Sequence, residues 1–238
     1  MSIFPRLRRA QHSRCAGAIL LALLPLAAAA APGAPGALAS VGRLLIPTLR
    51  LENGYRRHYD ERCSATLVGV HGQRRSRWIL SAWHCLEYYR DLSRPIVFEH
   101  GSGARLQARA VTSGGDMHAD WVLLRLERPL PAPVAPDAAD VPARAPLLMA
   151  GYSRSAAGTP GNTLSWDNSC QVIGRDGADL RSDCRVRRGA SGGAVFRRGG
   201  GSAAYIGIIS RGDGASESIF VPLRRILPRI SPYLTGTP

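Results

Sequence analysis

Residues 188–195 read Arg-Gly-Ala-Ser-Gly-Gly-Ala-Val, a serine set among glycines in a tight turn. A serine hydroxyl becomes a good nucleophile only when a neighbouring base takes its proton and a carboxylate orients that base. The spacing Gly189-x-Ser191-x-Gly193 also fits a nucleophile elbow, in which the histidine follows the serine in the chain. All six histidines precede Ser191. The elbow is therefore excluded, and the available order is histidine, carboxylate, serine.

Two earlier segments supply candidates for the base and the carboxylate. His84 closes the apolar run Trp78–Cys85, and Asp120 opens the apolar run that ends at Leu126. A rival carboxylate, Asp116, lies in a glycine-rich loop signal and has no apolar strand directly after it. We therefore predict that His84, Asp120 and Ser191 form a catalytic triad.

These segments resemble the chymotrypsin/trypsin-like serine protease family. Trp78–Cys85 resembles the family's histidine segment, which ends in Ser/Thr-Ala-Ala-His-Cys, and Asp120–Leu126 resembles its Asp-Ile-Ala-Leu-Leu-Arg-Leu segment. Gly189–Gly193 is similar to Gly-Asp-Ser-Gly-Gly, and Gly207–Gly212 to the strand Gly-Ile-Val-Ser-Trp-Gly. The similarity extends loosely from Leu44 to Leu227. Within the family, the chain most resembles bacterial exported trypsin-like peptidases, including glutamyl-endopeptidase-like proteins.

The resemblance implies a secreted serine endopeptidase that works through an acyl-enzyme. Ser191 would attack the carbonyl carbon, His84 would accept and return the proton, and Asp120 would orient the imidazole. The backbone N–H groups of Gly189 and Ser191 would bind the oxyanion. Residues expected to contact substrate are Arg185, Arg187, Arg188, Ser210, Arg211 and Gly212. Of these, Arg187, Arg188 and Arg211 would disfavour basic side chains and favour Glu or Asp.

One residue departs from the family pattern. Ala190 stands where the trypsin subgroup has an Asp that receives the new N-terminal amine after zymogen cleavage, and only Val41-Gly42 resembles the family's mature start. Trypsin-style activation is therefore not expected. Maturation would follow from signal removal alone or from another device.

The first 39 residues read as a secretory signal. Arg6, Arg8, Arg9 and Arg14 precede an uncharged apolar run over residues 16–31, and Ala37-Leu38-Ala39 offers a cleavage site before Ser40. Proline and glycine interrupt the chain after this run, which favours removal over a membrane anchor. We expect a secreted or periplasmic protein with no stable membrane span.

Four cysteines follow the signal, and an even count in an exported chain indicates two disulfides. Three pairings are possible by count. The resemblance implies that Cys63 bonds Cys85 beside His84, which leaves Cys170 with Cys184. No C-x-x-C spacing indicates a zinc site, and no metal or cofactor is predicted.

Short apolar or alternating runs bounded by Gly, Pro, Asn and Asp predict an all-β chain. The resemblance sharpens this to two six-stranded antiparallel β-barrels with the active site between them. Six prolines fall between residues 129 and 146, and proline resists sheet pairing. The predicted division is 1–39 signal, 40–128 first barrel, 129–146 linker, and 147–238 second barrel with a short terminal helix.

The net charge of +14 comes entirely from arginine, with no lysine. The arginines are scattered in pairs rather than gathered into a stripe with aromatics, so a nucleic-acid partner is not expected. The expected partner is a polypeptide substrate, and we expect a monomer. A catalytically silent or latent protease-like binding module is the alternative, since Ala190 leaves open how the oxyanion loop is ordered.

Overall fold

The computed structural model describes residue 1 and residues 35–90, 93–154, 162–199 and 202–236. Most of the predicted signal segment, residues 2–34, lies outside the described residues. The described chain begins with the short helix α1, Pro35–Leu38, and continues almost entirely as β-strands. Among the described residues, no helix is long and apolar enough to span a membrane.

The first six strands close into an antiparallel barrel. The strand bounds are β1 Val41–Glu52, β2 Tyr55–Val68, β3 Arg75–Ser81, β4 Ile96–His100, β5 Arg105–Ser113 and β6 Val122–Pro131. In spatial order the strands run β1-β2-β3-β6-β5-β4, and β1 pairs with β4 to complete the circle. Their apolar side chains fill the barrel interior, for example Leu44, Leu67, Ile79, Phe98 and Leu124.

The last six strands close into a second antiparallel barrel. The strand bounds are β7 Pro146–Arg154, β8 Asn162–Asp176, β9 Asp179–Ser182, β10 Ala194–Gly199, β11 Ser202–Gly212 and β12 Ser218–Pro222. The spatial order is β10-β11-β12-β9-β8-β7, and β7 pairs with β10. The core of this barrel buries Leu147, Met149, Val195, Ile206 and Phe220. The predicted fold of two six-stranded antiparallel barrels is therefore confirmed.

The proline-rich segment crosses from one barrel to the other. Because β6 continues to Pro131 and β7 begins at Pro146, the stretch outside these strands is residues 132–145, shorter than the predicted linker. Val134 bridges to Val68 in the first barrel, and Pro136 bridges to Tyr205 in the second. The domain boundaries stay a prediction.

The terminal helix α2, Leu223–Thr235, is longer than predicted because it continues through Pro228 and Pro232. Each interior proline costs about 3 kcal/mol in a helix, but both rings face solvent. Leu223, Ile226, Ile230 and Leu234 lie on the opposite side and are buried. Each such side chain contributes roughly 1.5–3 kcal/mol on burial, enough to offset the prolines.

A third apolar layer lies between the two barrels and α2. It includes Val41, Leu80 and Leu123 from the first barrel, and Leu148 and Phe196 from the second. In β6, Leu123 faces this layer while Val122 and Leu124 face the barrel interior, so both faces of the strand are buried. This explains why the run after Asp120 is continuously apolar rather than alternating.

Candidate active site

His84 lies in the 3₁₀ turn Trp83–Leu86, directly after β3. The disulfide between Cys63 and Cys85 ties this turn to β2. The backbone N–H of His84 donates to Asp120 Oδ1 at 2.9 Å, and its Nδ1 lies 2.8 Å from Asp120 Oδ2. With Nδ1–H held by the carboxylate, Nε2 is the nitrogen left to accept a proton.

Asp120 follows the 3₁₀ turn Met117–Ala119 and is fully buried. A third hydrogen bond reaches it from the Ser210 hydroxyl, at 2.5 Å from Oδ2. Burial by itself raises the pKa of the Asp120 carboxyl, but the hydrogen bonds from His84 and Ser210 and the His84 charge together bring its pKa below the usual value. The carboxylate is therefore ionised at neutral pH.

Asp116, the rival carboxylate, has a different role in the structure. Its Oδ1 accepts the backbone N–H groups of His118 and Ala119 at 2.8 and 2.9 Å, so it caps the 3₁₀ turn. The structure thus brings Asp120, and not Asp116, to His84.

Ser191 lies in the loop between β9 and β10 and lines the same cleft as His84. Its Oγ donates to the carbonyl of Ser210 at 3.2 Å. Among the described residues, no hydrogen bond joins Ser191 Oγ to His84. Such contacts are often loose in unliganded enzymes and tighten around the substrate.

The loop around Ser191 requires two of its glycines. Gly189 has a φ of 99°, in the left-handed region that side chains disfavour. A Cβ on Gly192 would lie 2.2 Å from Ser64 O and from Ser81 Oγ. Within the described part of the chain, the N–H groups of Gly189 and Ser191 have no acceptor. Both donors are therefore available to an oxyanion.

The cleft has a volume of about 540 Å³. Val186, Ala190 and Ile209 give it apolar surface. The predicted substrate-contacting residues that line it are Arg187, Arg188, Ser210, Arg211 and Gly212. Arg185 instead lines a separate depression with Trp166 and Asp183, and its backbone N–H donates to Asp167 at 2.8 Å. Its predicted contact with substrate is therefore not supported by its position.

Arg211 is held by carboxylates. One guanidinium nitrogen lies 2.5 Å from Asp176 and the other 3.8 Å from Asp179. Asp179 is buried and also pairs with Arg225 of α2. Burial raises the pKa of the Asp179 carboxyl, although the two arginines act in the opposite direction. Arg211 thus brings little uncompensated charge to the cleft.

The four cysteines among the described residues form the two disulfides Cys63–Cys85 and Cys170–Cys184, as the resemblance implied. Cys63, Cys85 and His84 also have their possible ligand atoms within 4.8 Å of one another. The two sulfurs are bonded to each other and carry no thiolate charge, so this group does not suit a metal ion.

Two residues that contact the candidate site were not identified from the sequence. Ser64 is a fully buried serine in the buried half of β2, and Asp179 is a buried carboxylate. A polar residue directly after the disulfide cysteine Cys63 was the only signal for Ser64. For Asp179 there was none, because its partner Arg225 lies 46 residues away.

Comparison with known proteins agrees with this geometry. A family model described as a trypsin-like peptidase domain matches residues 63–204, more than half of the chain. The chain belongs to the trypsin-like peptidase family. Membership confirms the predicted assignment to the chymotrypsin/trypsin-like serine proteases, and with it the class of serine endopeptidases.

Solved structures show the same fold for this trypsin-like peptidase. The thermostable serine protease AL20 from an extremophilic microorganism superposes with a TM-score of 0.61 at 19% identity, over 86% of this chain and 100% of that chain. The HtrA-type protease AlgW, solved with a decapeptide, superposes with a TM-score of 0.65 at 13% identity, over 85% of this chain and 66% of that chain. No curated protein matches the chain.

Proposed function

We propose that the protein is an exported serine endopeptidase that cleaves peptide bonds through Ser191, His84 and Asp120 by way of an acyl-enzyme. The observation that carries this proposal is the buried Asp120 carboxylate bonded to His84, which lines one cleft with Ser191. Among the described residues, the N–H groups of Gly189 and Ser191 beside this cleft have no acceptor. Export is supported by the two disulfides, which persist in oxidising compartments.

The proposed reaction has two halves. In the first, Ser191 Oγ attacks the carbonyl carbon while His84 Nε2 takes the hydroxyl proton, and the N–H groups of Gly189 and Ser191 stabilise the oxyanion. The imidazolium then gives its proton to the leaving amine as the C–N bond breaks. In the second half, His84 takes a proton from water, the hydroxide attacks the ester, and Ser191 recovers its proton. Asp120 holds the Nδ1–H throughout.

The cleft also supports a proposal about preference. Arg187 and Arg188 are exposed at the cleft, and neither guanidinium has a carboxylate partner among the described residues. Arg211 is compensated by Asp176 and Asp179. We therefore assign any preference for acidic substrate side chains to Arg187 and Arg188 rather than to Arg185 or Arg211. Polypeptide substrates follow from the family, and the monomer remains part of the proposal.

A second candidate is a silent or latent protease-like binding module. The observation that favours it is the Ser191 hydroxyl, which donates to the Ser210 carbonyl and not to His84. A hydroxyl fixed in that direction would not be activated by the imidazole.

Labelling with a fluorophosphonate separates the two functions. The oxidised protein should become labelled on Ser191, and the Ser191→Ala variant should fold normally yet take up no label. A wild-type protein that is folded but unlabelled would favour the binding module. Labelling undiminished in Ser191→Ala would show that another residue is the nucleophile. A peptide library containing Glu, Asp, Lys and Arg at each position would then measure the preference, with Arg187→Gln as the comparison.

A further inference from the structure

Ser64 connects the two barrels at the loop that carries Ser191. It lies in β2 of the first barrel and is fully buried. Its N–H donates to the Ser191 carbonyl at 2.7 Å, and its Oγ donates to the Gly189 carbonyl at 2.9 Å. The two residues that Ser64 holds by their carbonyls are the same two whose N–H groups are proposed to bind the oxyanion.

The direction of the Ser64 hydroxyl is determined by a second contact. The backbone N–H of Tyr152 in β7 donates to Ser64 Oγ at 2.7 Å. Because that N–H occupies a lone pair of the oxygen, the hydroxyl proton is directed to the Gly189 carbonyl. Ser64 of the first barrel is thus fixed by β7 of the second barrel, and Ser64 in turn holds the loop that carries Ser191.

Every carbonyl of the loop from residue 188 to residue 191 accepts a hydrogen bond. A peptide N–H points opposite to the carbonyl of its own unit, and the described chain contains no cis peptide. The N–H groups of Gly189 and Ser191 therefore point away from the donors that hold the preceding carbonyls. The four contacts are Arg154 N to Arg188 O at 3.0 Å, Ser64 Oγ to Gly189 O at 2.9 Å, Gly193 N to Ala190 O at 2.8 Å, and Ser64 N to Ser191 O at 2.7 Å.

Ala190 closes the loop from the other side. Its side chain is buried, and it packs so near Gly151 that a Cβ on Gly151 would lie 3.0 Å from the Ala190 methyl. At this position the loop is therefore packed by an apolar contact. Val41, the first residue of β1, packs in the layer with α2.

We propose that Ser64 is a positioning residue that orders the oxyanion loop, so that the loop is competent without an N-terminal amine. This inference rests on the proposed peptidase function. The Ser64 hydroxyl holds the Gly189 carbonyl, and the Ser64 backbone N–H holds the Ser191 carbonyl. The apolar contact of Ala190 with Gly151 takes the place of the ion pair that the trypsin subgroup forms between its Asp and the N-terminal amine.

The test compares Ser64→Ala with Ser182→Ala. Ser182 is an equally buried serine of the second barrel, outside the cleft, whose hydroxyl donates to the Ser218 carbonyl at 3.2 Å. Hydrogen–deuterium exchange is measured at the amides of Ala190, Gly192 and Gly193, which are hydrogen-bonded in the structure. We expect at least about tenfold faster exchange in Ser64→Ala and no such change in Ser182→Ala. Exchange as slow in Ser64→Ala as in wild type would overturn the inference.

Kinetics provide a second readout. Loss of a well-placed oxyanion donor costs about 10²–10³-fold in kcat, and we expect Ser64→Ala to lose about 10–100-fold in kcat with KM within about threefold. A rise in KM with unchanged kcat would contradict a role in ordering the loop. Ser64→Thr keeps the hydroxyl, and we expect it to restore slow exchange at Ala190.

The two readouts separate the inference from the function on which it rests. If the wild-type protein were neither labelled nor active, the proposed function would fail. The exchange experiment would still decide whether Ser64 holds the loop, because it needs no turnover and can be repeated in the Ser191→Ala background.

Discussion

Replacing Arg225 by Met should leave the Asp179 carboxylate buried with insufficient compensation. The Asp179 side chain is only 4% exposed, and Arg225 is its direct partner from α2. Breaking a buried ion pair by removing one partner costs about 3–5 kcal/mol. Arg225 is 29% exposed and Arg211 stays 3.8 Å from Asp179, so we expect a smaller loss of about 2–4 kcal/mol in the free energy of unfolding.

The loss should depend on pH in a defined direction. Burial already places the pKa of Asp179 above its unfolded value of 3.8, and removing Arg225 raises the folded pKa further. A folded group with a raised pKa takes up a proton more readily than the unfolded chain, so acidification stabilises the folded state relative to the unfolded state. The difference between Arg225→Met and wild type should be largest near pH 7.5 and should shrink as the pH falls through the folded pKa of Asp179.

Urea unfolding at pH 7.5 and at pH 5 measures both effects, with Arg224→Met as the matched control. Arg224 is the neighbouring residue of α2, and its partner Asp140 is 82% exposed. Exposed pairs are worth about 0–1 kcal/mol, so the control should lose little. Equal losses in the two variants, or a loss in Arg225→Met that does not change with pH, would refute the buried-charge reasoning. In an Asp179→Asn background, the cost of Arg225→Met should fall to about 1 kcal/mol.

Three further predictions concern the site. Ser210→Ala removes the 2.5 Å hydrogen bond to Asp120, which should raise the pKa of Asp120 and cost about 1.5–3 kcal/mol at pH 7. Because the folded pKa of Asp120 is lowered, its contribution is present above the unfolded value of 3.8 and is lost as the pH falls through the folded pKa. The loss of stability relative to wild type, measured by urea unfolding, should therefore be largest at pH 7 and should shrink as the pH falls below 3.8. A loss that stays constant down to the lowest pH at which both proteins fold would contradict this. Gly189→Ala places a side chain at a φ of 99°, so we expect about 1–3 kcal/mol of strain and a lower kcat with little change in KM. Full activity in that variant would argue against an oxyanion role for the Gly189 N–H. Replacing Cys63 and Cys85 together by Ala removes a crosslink spanning 22 residues and should cost about 3 kcal/mol, seen as a lower Tm. An unchanged Tm would show that the His84 turn is held without the crosslink.

The barrel strands with apolar patterns could be predicted from the sequence, but two long strands could not. In β1, Arg43 and Pro47 interrupt the apolar run, although Leu44 and Ile46 are buried. In β8, polar residues and the exposed Trp166 hide the pattern. The first half of β2, from Tyr55, is exposed because the hairpin it forms with β1 presents this half to solvent. Strands that bury no face give no periodic signal.

The proposed catalytic residues stood out in the sequence because each lies within a short local motif. Asp120 lies two residues before the buried strand β6, and His84 directly precedes a disulfide cysteine. The hydrogen bonds that position the site join residues far apart in the sequence. Ser64 contacts Gly189 across 125 residues, and Ser210 contacts Asp120 across 90. Such contacts follow from how the two barrels pack, and a single sequence does not encode them in any local pattern.

Because the candidate site is divided between two closed barrels, the chain can be cut between the barrels into two fragments that each carry part of the site. His84 and Asp120 belong to the first barrel and Ser191 to the second, while residues 132–145 connect them. A protein cut near the exposed residues 138–140 should be inactive as separate fragments and regain activity when they associate through the apolar layer beneath α2. This arrangement suits the fold to a split reporter, in which proteolysis signals that two fused partners have met.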